Sequence, residues 1–393
     1  MCHSGNVTIN DNLLSNDAII SQKISYIFGI ILTPILTFFG LSGNVLAICV
    51  LSKLVGNSSQ CNLYSILIAL MVADSVILVL NFFGNFMTNL FTYTKWSSFM
   101  NWHILEGYLV VGLWPLMISF QMISVYLTIL ISFDRWSAIC RPFKKSKLYF
   151  TRKSSLCQWA IVLIYMVSIL YNVPRWWENE TCMIGVGNNN NYTNSSLENV
   201  DEIILQFNHS ARISFKKSEL GLNIFYRYIY GAFFYIIFVF ITPILLITFT
   251  NINILFTIRT SNLKRIKMTQ SREIKRTKIP VAIVVMFYAL GLLPLTTSII
   301  ESIQSSDSLF LHSNSWNSLV SVSNICIILN SSINIIVYCL VGHKFRQSLW
   351  YLLQCRHNNR LINRASTRFT SLRHVTLVSM ASFENHKIGR LST

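Results

Sequence analysis

Two groups of residues in this 393-residue chain have types and spacing that could do chemistry, and in both it is reversible charge pairing. The first is Asp134-Arg135, which stands where the charge-free stretch 107–133 meets a loop carrying Arg141, Lys144, Lys145, Lys147, Arg152 and Lys153. A charged pair at the edge of a membrane-length apolar run is costly unless paired or wetted, which marks it as a functional site rather than a simple stop signal. The second is Asp74, an acid near the middle of the apolar run 63–88. It needs polar company, and Asn44, Asn330 and Asn334 are available to form a cluster that also takes a sodium ion.

Catalytic constellations are missing from the sequence. It holds no Gly-Lys-Ser/Thr phosphate loop, no His-Glu-X-X-His and no Cys-X-X-Cys, so neither hydrolysis nor metal chemistry has a candidate and a non-enzyme is expected. Of the nine cysteines, only Cys2 and Cys182 are expected on the oxidising side, where a disulfide between them is possible.

The elements that must position these groups are membrane helices. Only 12% of residues are charged and 52% are hydrophobic, against about 25% charged in a soluble domain. The net charge of +17 sits in loops between apolar runs rather than in one basic domain, which argues against nucleic acid. Seven runs of spanning length occur at about 26–52, 63–88, 107–133, 155–174, 228–258, 279–301 and 316–341. The expected fold is all-α, a seven-helix bundle over 26–341, preceded by a short polar arm at 1–25 read as flexible.

Orientation follows from Lys and Arg. Twenty-five of the 32 fall on the side that holds Arg135 and the C-terminal tail, which makes that side cytoplasmic and the N-terminus extracellular in the plasma membrane. Glycosylation acceptors beginning at Asn6, Asn179, Asn191, Asn194 and Asn208 all fall on the opposite side. No signal peptide is evident, and run one is expected to anchor itself.

The loop 175–227 reads as an Asn-rich, partly disordered insertion whose acids draw basic ligands, and Trp176 and Trp177 at its start fit an aromatic belt. Residues 342–355 read as an interfacial amphipathic helix against membrane lipid, with Cys355 placed for palmitoylation. The tail 356–393 reads as disordered. Pro115 and Pro243 are expected to kink their helices and open room between them.

Together, Gly43-Asn44, Leu70-Met71-Val72-Ala73-Asp74, Asp134-Arg135-Trp136, Trp159, Pro243, Pro294 and Asn334-Ile335-Ile336-Val337-Tyr338 resemble the rhodopsin-like (class A) family of G-protein-coupled receptors. Tyr171-Asn172-Val173-Pro174-Arg175-Trp176-Trp177-Glu178, Asn330-Ser331-Ser332-Ile333-Asn334, Trp114-Pro115 and Gln121 are similar to invertebrate FMRFamide-type neuropeptide receptors. The chain also departs from the family: Val110 replaces the cysteine usually bonded to the second outer loop, Trp136 the tyrosine of Asp-Arg-Tyr, Gly291-Leu292 the sixth-helix Cys-Trp, and Ile335 the seventh-helix proline.

The resemblance implies a receptor for an amidated peptide, coupled to a heterotrimeric G protein and met by arrestin and receptor kinases. It assigns the switch to Asp134, Arg135, Trp136, Pro294, Asn334 and Tyr338. Ligand contacts are expected from Glu106, Glu178 and Glu301 toward a cationic side chain, and from Trp114, Met117, Gln121, Trp176 and Trp177. Met117 stands where amine receptors carry an Asp, which disfavours a biogenic amine. A chemosensory receptor for a small or lipid ligand is the competing expectation, and a transporter or channel a weaker one.

Overall fold

The computed structural model describes residues 14–56, 61–93, 102–140, 154–185, 211–263, 278–303, 313–341 and 345–351. Two compact units emerge, one ending at Gly342 and the other beginning at His343. The second contributes 345–351, which are helical.

The first unit is a seven-helix membrane bundle. Its spans are α1 (Ile19–Val55), α2 (Asn62–Phe91), α3 (Val111–Cys140, within a helix that starts at Trp102), α4 (Ser155–Trp177), α5 (Tyr226–Thr257) and α6 (Val281–Glu301). The seventh is broken: α7 (Asn314–Ser332) and α8 (Asn334–Val341) meet at a 45° bend. Helix is the form that meets every backbone hydrogen bond within one segment, which lipid requires.

Side chains are sorted as a lipid solvent demands. Phe38, Leu163, Leu170, Leu245 and Phe256 lie exposed on the rim, while Asn44, Asp74, Asn81, Ser119 and Asn172 are buried inside. In water the first set would be an aggregation surface; against acyl chains it costs nothing.

Two expectations are corrected. The arm 1–25 is helical from Leu14, where Leu14–Tyr26 runs on into α1, and Ser25 Oγ lies 3.1 Å from Ser321 Oγ of α7. The loop 175–227 has regular structure at both ends: β1 (Asn179–Gly185) and β2 (Ala211–Lys217) pair antiparallel, with Asn179 opposite Lys217 and Gly185 opposite Ala211.

Several spans are wound more widely than an α-helix. Ile27–Leu32, Phe82–Met87, Tyr226–Phe234 and Ile236–Ile241 have π geometry, with i to i+5 pairing. The consequence is clearest in α5. Residues five apart lie about 140° apart around an α-helix, but π winding brings Tyr230 and Tyr235 toward one face.

One apolar cluster joins α3, α5 and α6 through Ile118, Met122, Tyr235, Val239, Ile247, Val284, Phe287 and Leu295. A second cluster, Leu78, Ile325 and Ile328, joins α2 to α7, with Phe28, Leu32 and Leu36 of α1 packed on it.

Candidate functional site

Among the described residues, three polar features lie in the bundle: a cleft at the hairpin end, a buried acid in the middle and an ion pair at the opposite end.

The hairpin-end cleft has a volume of about 570 Å³ and is lined by Trp114, Ile118, Arg175, Glu178, Asn179, Tyr235, Ser298 and Glu301. The last turn of α4, Val173–Trp177, winds as a 3-10 helix with Pro174 in its first turn, where a missing N–H is harmless. The return of the hairpin is fastened to it: Ser218 N donates to Glu178 O at 3.0 Å, and Ser218 Oγ donates to Trp177 O. Gly221 passes so close that a Cβ there would run into the Glu178 carbonyl. These contacts fix where Glu178 begins.

Arg175 is the buried charge of this region, 6% exposed. Its Nε donates to Asn172 Oδ1 at 3.1 Å and its Nη1 lies 3.7 Å from Glu178 Oε2. The guanidinium carbon lies 5.1 Å from the centre of the Tyr235 ring and 5.7 Å from that of Tyr230. Tyr230 in turn donates to Tyr171 O and stacks on Tyr226 at 4.9 Å. Arg175 was missed as a site residue because it reads as one more loop charge at the end of an apolar run. The signal was its position directly after Pro174, which carries the helix on for one more turn and turns the side chain inward.

Of the expected ligand contacts, the cleft brings together Trp114, Glu178 and Glu301, and Ile118 lines it one residue on from the buried Met117. Trp176 is half-buried and Trp177 63% exposed, and neither lines it. Gln121 lines a different, deeper cleft. The side chains of Glu106 and Val110 lie outside the described residues, as do Cys2, the Cys182 side chain, Cys355, Asn6, Asn191, Asn194 and Asn208. Asn179 opens β1 and lines the cleft, so a glycan there would share its space with a ligand.

The deeper cleft, of about 640 Å³, runs from Asp74 past Gln121, Phe287, Gly291 and Pro294 to Asn330 and Asn334. Asp74 is 1% exposed. Its Oδ1 accepts from Ser124 Oγ at 3.1 Å and from Ser331 Oγ at 3.4 Å, and its Oδ2 accepts from Asn334 Nδ2 at 2.7 Å. Asn44 reaches the group through the Ser331 carbonyl at 3.2 Å, while Asn330 lines the cleft alongside. Ser124 and Ser331 were not foreseen, since a lone serine in a membrane run carries no signal. The carboxylate and the two hydroxyl oxygens beside it are ligand types that suit a hard monovalent cation such as sodium, while the Asn334 amide turns its NH2 toward Asp74.

At the far end of α3, Arg135 Nε donates to Asp134 Oδ2 at 2.9 Å, Nη2 bonds the same oxygen, and both residues are buried. Trp136 packs against Phe133 at 5.4 Å and against Phe249 of α5 at 6.4 Å. Tyr338 of α8 is fully buried. Pro294 is buried in α6 and lines the deeper cleft.

A seven-helix membrane bundle with a polar cleft at one end and a buried Asp-Arg pair at the other has the build of a serpentine receptor. The model of the family described as serpentine type 7TM GPCR chemoreceptor Srw matches residues 23–356, and the chain belongs to that family of G-protein-coupled receptors. It is 25% identical over 324 residues to the FMRFamide receptor of Drosophila melanogaster, covering 81% of this chain and 52% of that protein. It is 27% identical over 343 residues to the probable G-protein coupled receptor frpr-1 of Caenorhabditis elegans (84% and 80% covered). To the FMRFamide peptide receptor frpr-18 of that nematode it is 24% identical over 327 residues (81% and 68%). The chain thus spans about half the length of the fly receptor it matches.

Proposed function

We propose that this protein is a receptor for a basic, amidated peptide of the FMRFamide type, and that it signals through a heterotrimeric G protein. The observation that carries the reading is the hairpin-end cleft, where Glu301 and Trp114 face a space of about 570 Å³. An acid and an indole lining one cleft suit an arginine side chain. Two relatives named for FMRFamide lend support. The excess of Lys and Arg on the Arg135 side supports a cytoplasmic position for that end and an outward-facing cleft.

The proposed switch follows rhodopsin-like logic. Ligand must favour one of two helix arrangements, or nothing is transmitted. The packed cluster of Ile118, Met122, Tyr235, Phe287 and Leu295 lies where α3, α5 and α6 meet, so a shift of α6 about Pro294 repacks it. Arg135 then leaves Asp134 for the G protein, and Tyr338 turns to support the open state. Arrestin and receptor kinases would engage the same end. A sodium ion, when bound, would neutralise Asp74, with the Ser124 and Ser331 hydroxyl oxygens beside it.

The test is expression with calcium and cAMP readouts against a panel of amidated peptides. Robust responses are expected, with Glu301→Gln weakening basic peptides by more than about tenfold. The chemosensory description of the matched family favours a second reading, a small-molecule ligand in the same cleft. Responses to small odorants or lipids, with none to any peptide, would establish it instead.

A further inference from the structure

Arg175 is buried and lines the cleft, and among the described residues its Nη2 has no hydrogen-bond partner. A guanidinium carries five N–H donors, and leaving one unmet in a buried site is unfavourable, so the place is built for an acceptor that arrives from outside the protein. Asn172 and Glu178 hold the other nitrogens, and the Tyr230 and Tyr235 rings flank the group, so the guanidinium at the cleft wall is held in place rather than mobile.

The charges decide which acceptor. Arg175 is already paired with Glu178, and Glu301 lines the same cleft, so the three groups sum to one negative charge. A carboxylate placed at Nη2 would share the space with two other carboxylates. It would also bring no N–H to satisfy them. A primary carboxamide is different: its oxygen accepts from Nη2, its NH2 donates to the neighbouring carboxylate, and it adds no charge. Hydrogen-bonding sites of this kind discriminate strongly, because the wrong group leaves buried polar atoms unpaired.

We propose that Arg175 and Glu178 together form the subsite for the terminal carboxamide of a peptide ligand and distinguish it from a free acid. This rests on the peptide reading above, and it places the amide at the end of α4 and the basic side chain at Glu301 of α6. The alternative role for Arg175 is a latch between α4 and the hairpin, which would stabilise the receptor without reading the ligand.

The experiment uses the full chain, tagged for surface quantification, with synthetic FMRFamide and its free-acid counterpart as probes. The parent is expected to prefer the amide by about 30-fold or more in potency. Arg175→Gln at equal surface level should collapse that preference to within about fivefold, chiefly by weakening the amide. Glu178→Gln should also narrow it, here by strengthening the acid, and this arm decides the matter if Arg175→Gln does not reach the surface. A parent that prefers the amide while both variants keep its ratio overturns the subsite and leaves the peptide reading standing. A parent silent to both probes overturns the peptide reading and the subsite with it.

Discussion

Asn44 Nδ2 donates to the backbone carbonyl of Ser331 at 3.2 Å, and that carbonyl is the one the Ile335 N–H would take in an unbroken α-helix. A side chain inserted into the i to i−4 ladder is one of the few causes of a sharp bend. The 45° break between α7 and α8 therefore forms without a proline, since Asn330-Ser331-Ser332-Ile333-Asn334-Ile335 holds none. Removing the amide should weaken the break. Asn44→Leu is expected to cost about 0.6–2 kcal/mol, read as a lower melting temperature of the detergent-solubilised protein, whereas Asn44→Gln recovers part of the loss.

Gly43 lets α8 come close. A Cβ on Gly43 would lie 2.6 Å from Ile335 Cγ2, well inside contact distance, so Gly43→Ala should destabilise by about 1–3 kcal/mol. Ile335→Ala in the same chain removes the clashing atoms. The double variant should melt above Gly43→Ala alone; if it melts lower, the two positions do not meet as described.

Asp134 and Arg135 should behave as a unit. Removing one partner of a buried pair leaves an uncompensated charge, at roughly 3–5 kcal/mol, while removing both is far cheaper. Asp134→Asn with Arg135→Gln is thus expected to be more stable than Arg135→Gln by itself in thermal unfolding. In G-protein assays Asp134→Asn should raise basal signalling, and Arg135→Ala should abolish the response at unchanged surface level.

Asp74 supplies a prediction that needs no ligand. Replacing sodium with N-methylglucamine at constant ionic strength should lower the melting temperature of the parent and leave Asp74→Asn unmoved. Equal sensitivity in both proteins would sink the sodium assignment. Ser124→Ala should fall between them, because it removes one of two hydroxyl groups on Oδ1.

How far the site could be read in advance depended on the kind of signal. Asp74 and Asp134-Arg135 were legible because a charge inside an apolar run is rare and expensive, so composition alone marks it. Ser124 and Ser331 were not, since serine is tolerated anywhere in a membrane helix by bonding back to its own backbone, as Ser75 does to Met71 at 2.7 Å. Trp176 and Trp177 carried an aromatic signal that a belt and a binding surface share, and the cleft takes Trp114 instead. Arg175 lay in plain view but counted as a loop charge.

The sequence by itself determined that this protein crosses a membrane in seven segments, because apolar runs of spanning length admit no other backbone than helix in lipid. It also determined which acids would have to find partners. Only the tertiary structure decided who those partners are. Three choices depended on it: the π winding that brings Tyr230 and Tyr235 beside Arg175, the hairpin that fastens Glu178, and the Asn44 amide that breaks the seventh span. Each is a contact between segments far apart in the chain, and local residue pattern carries no information about such distances.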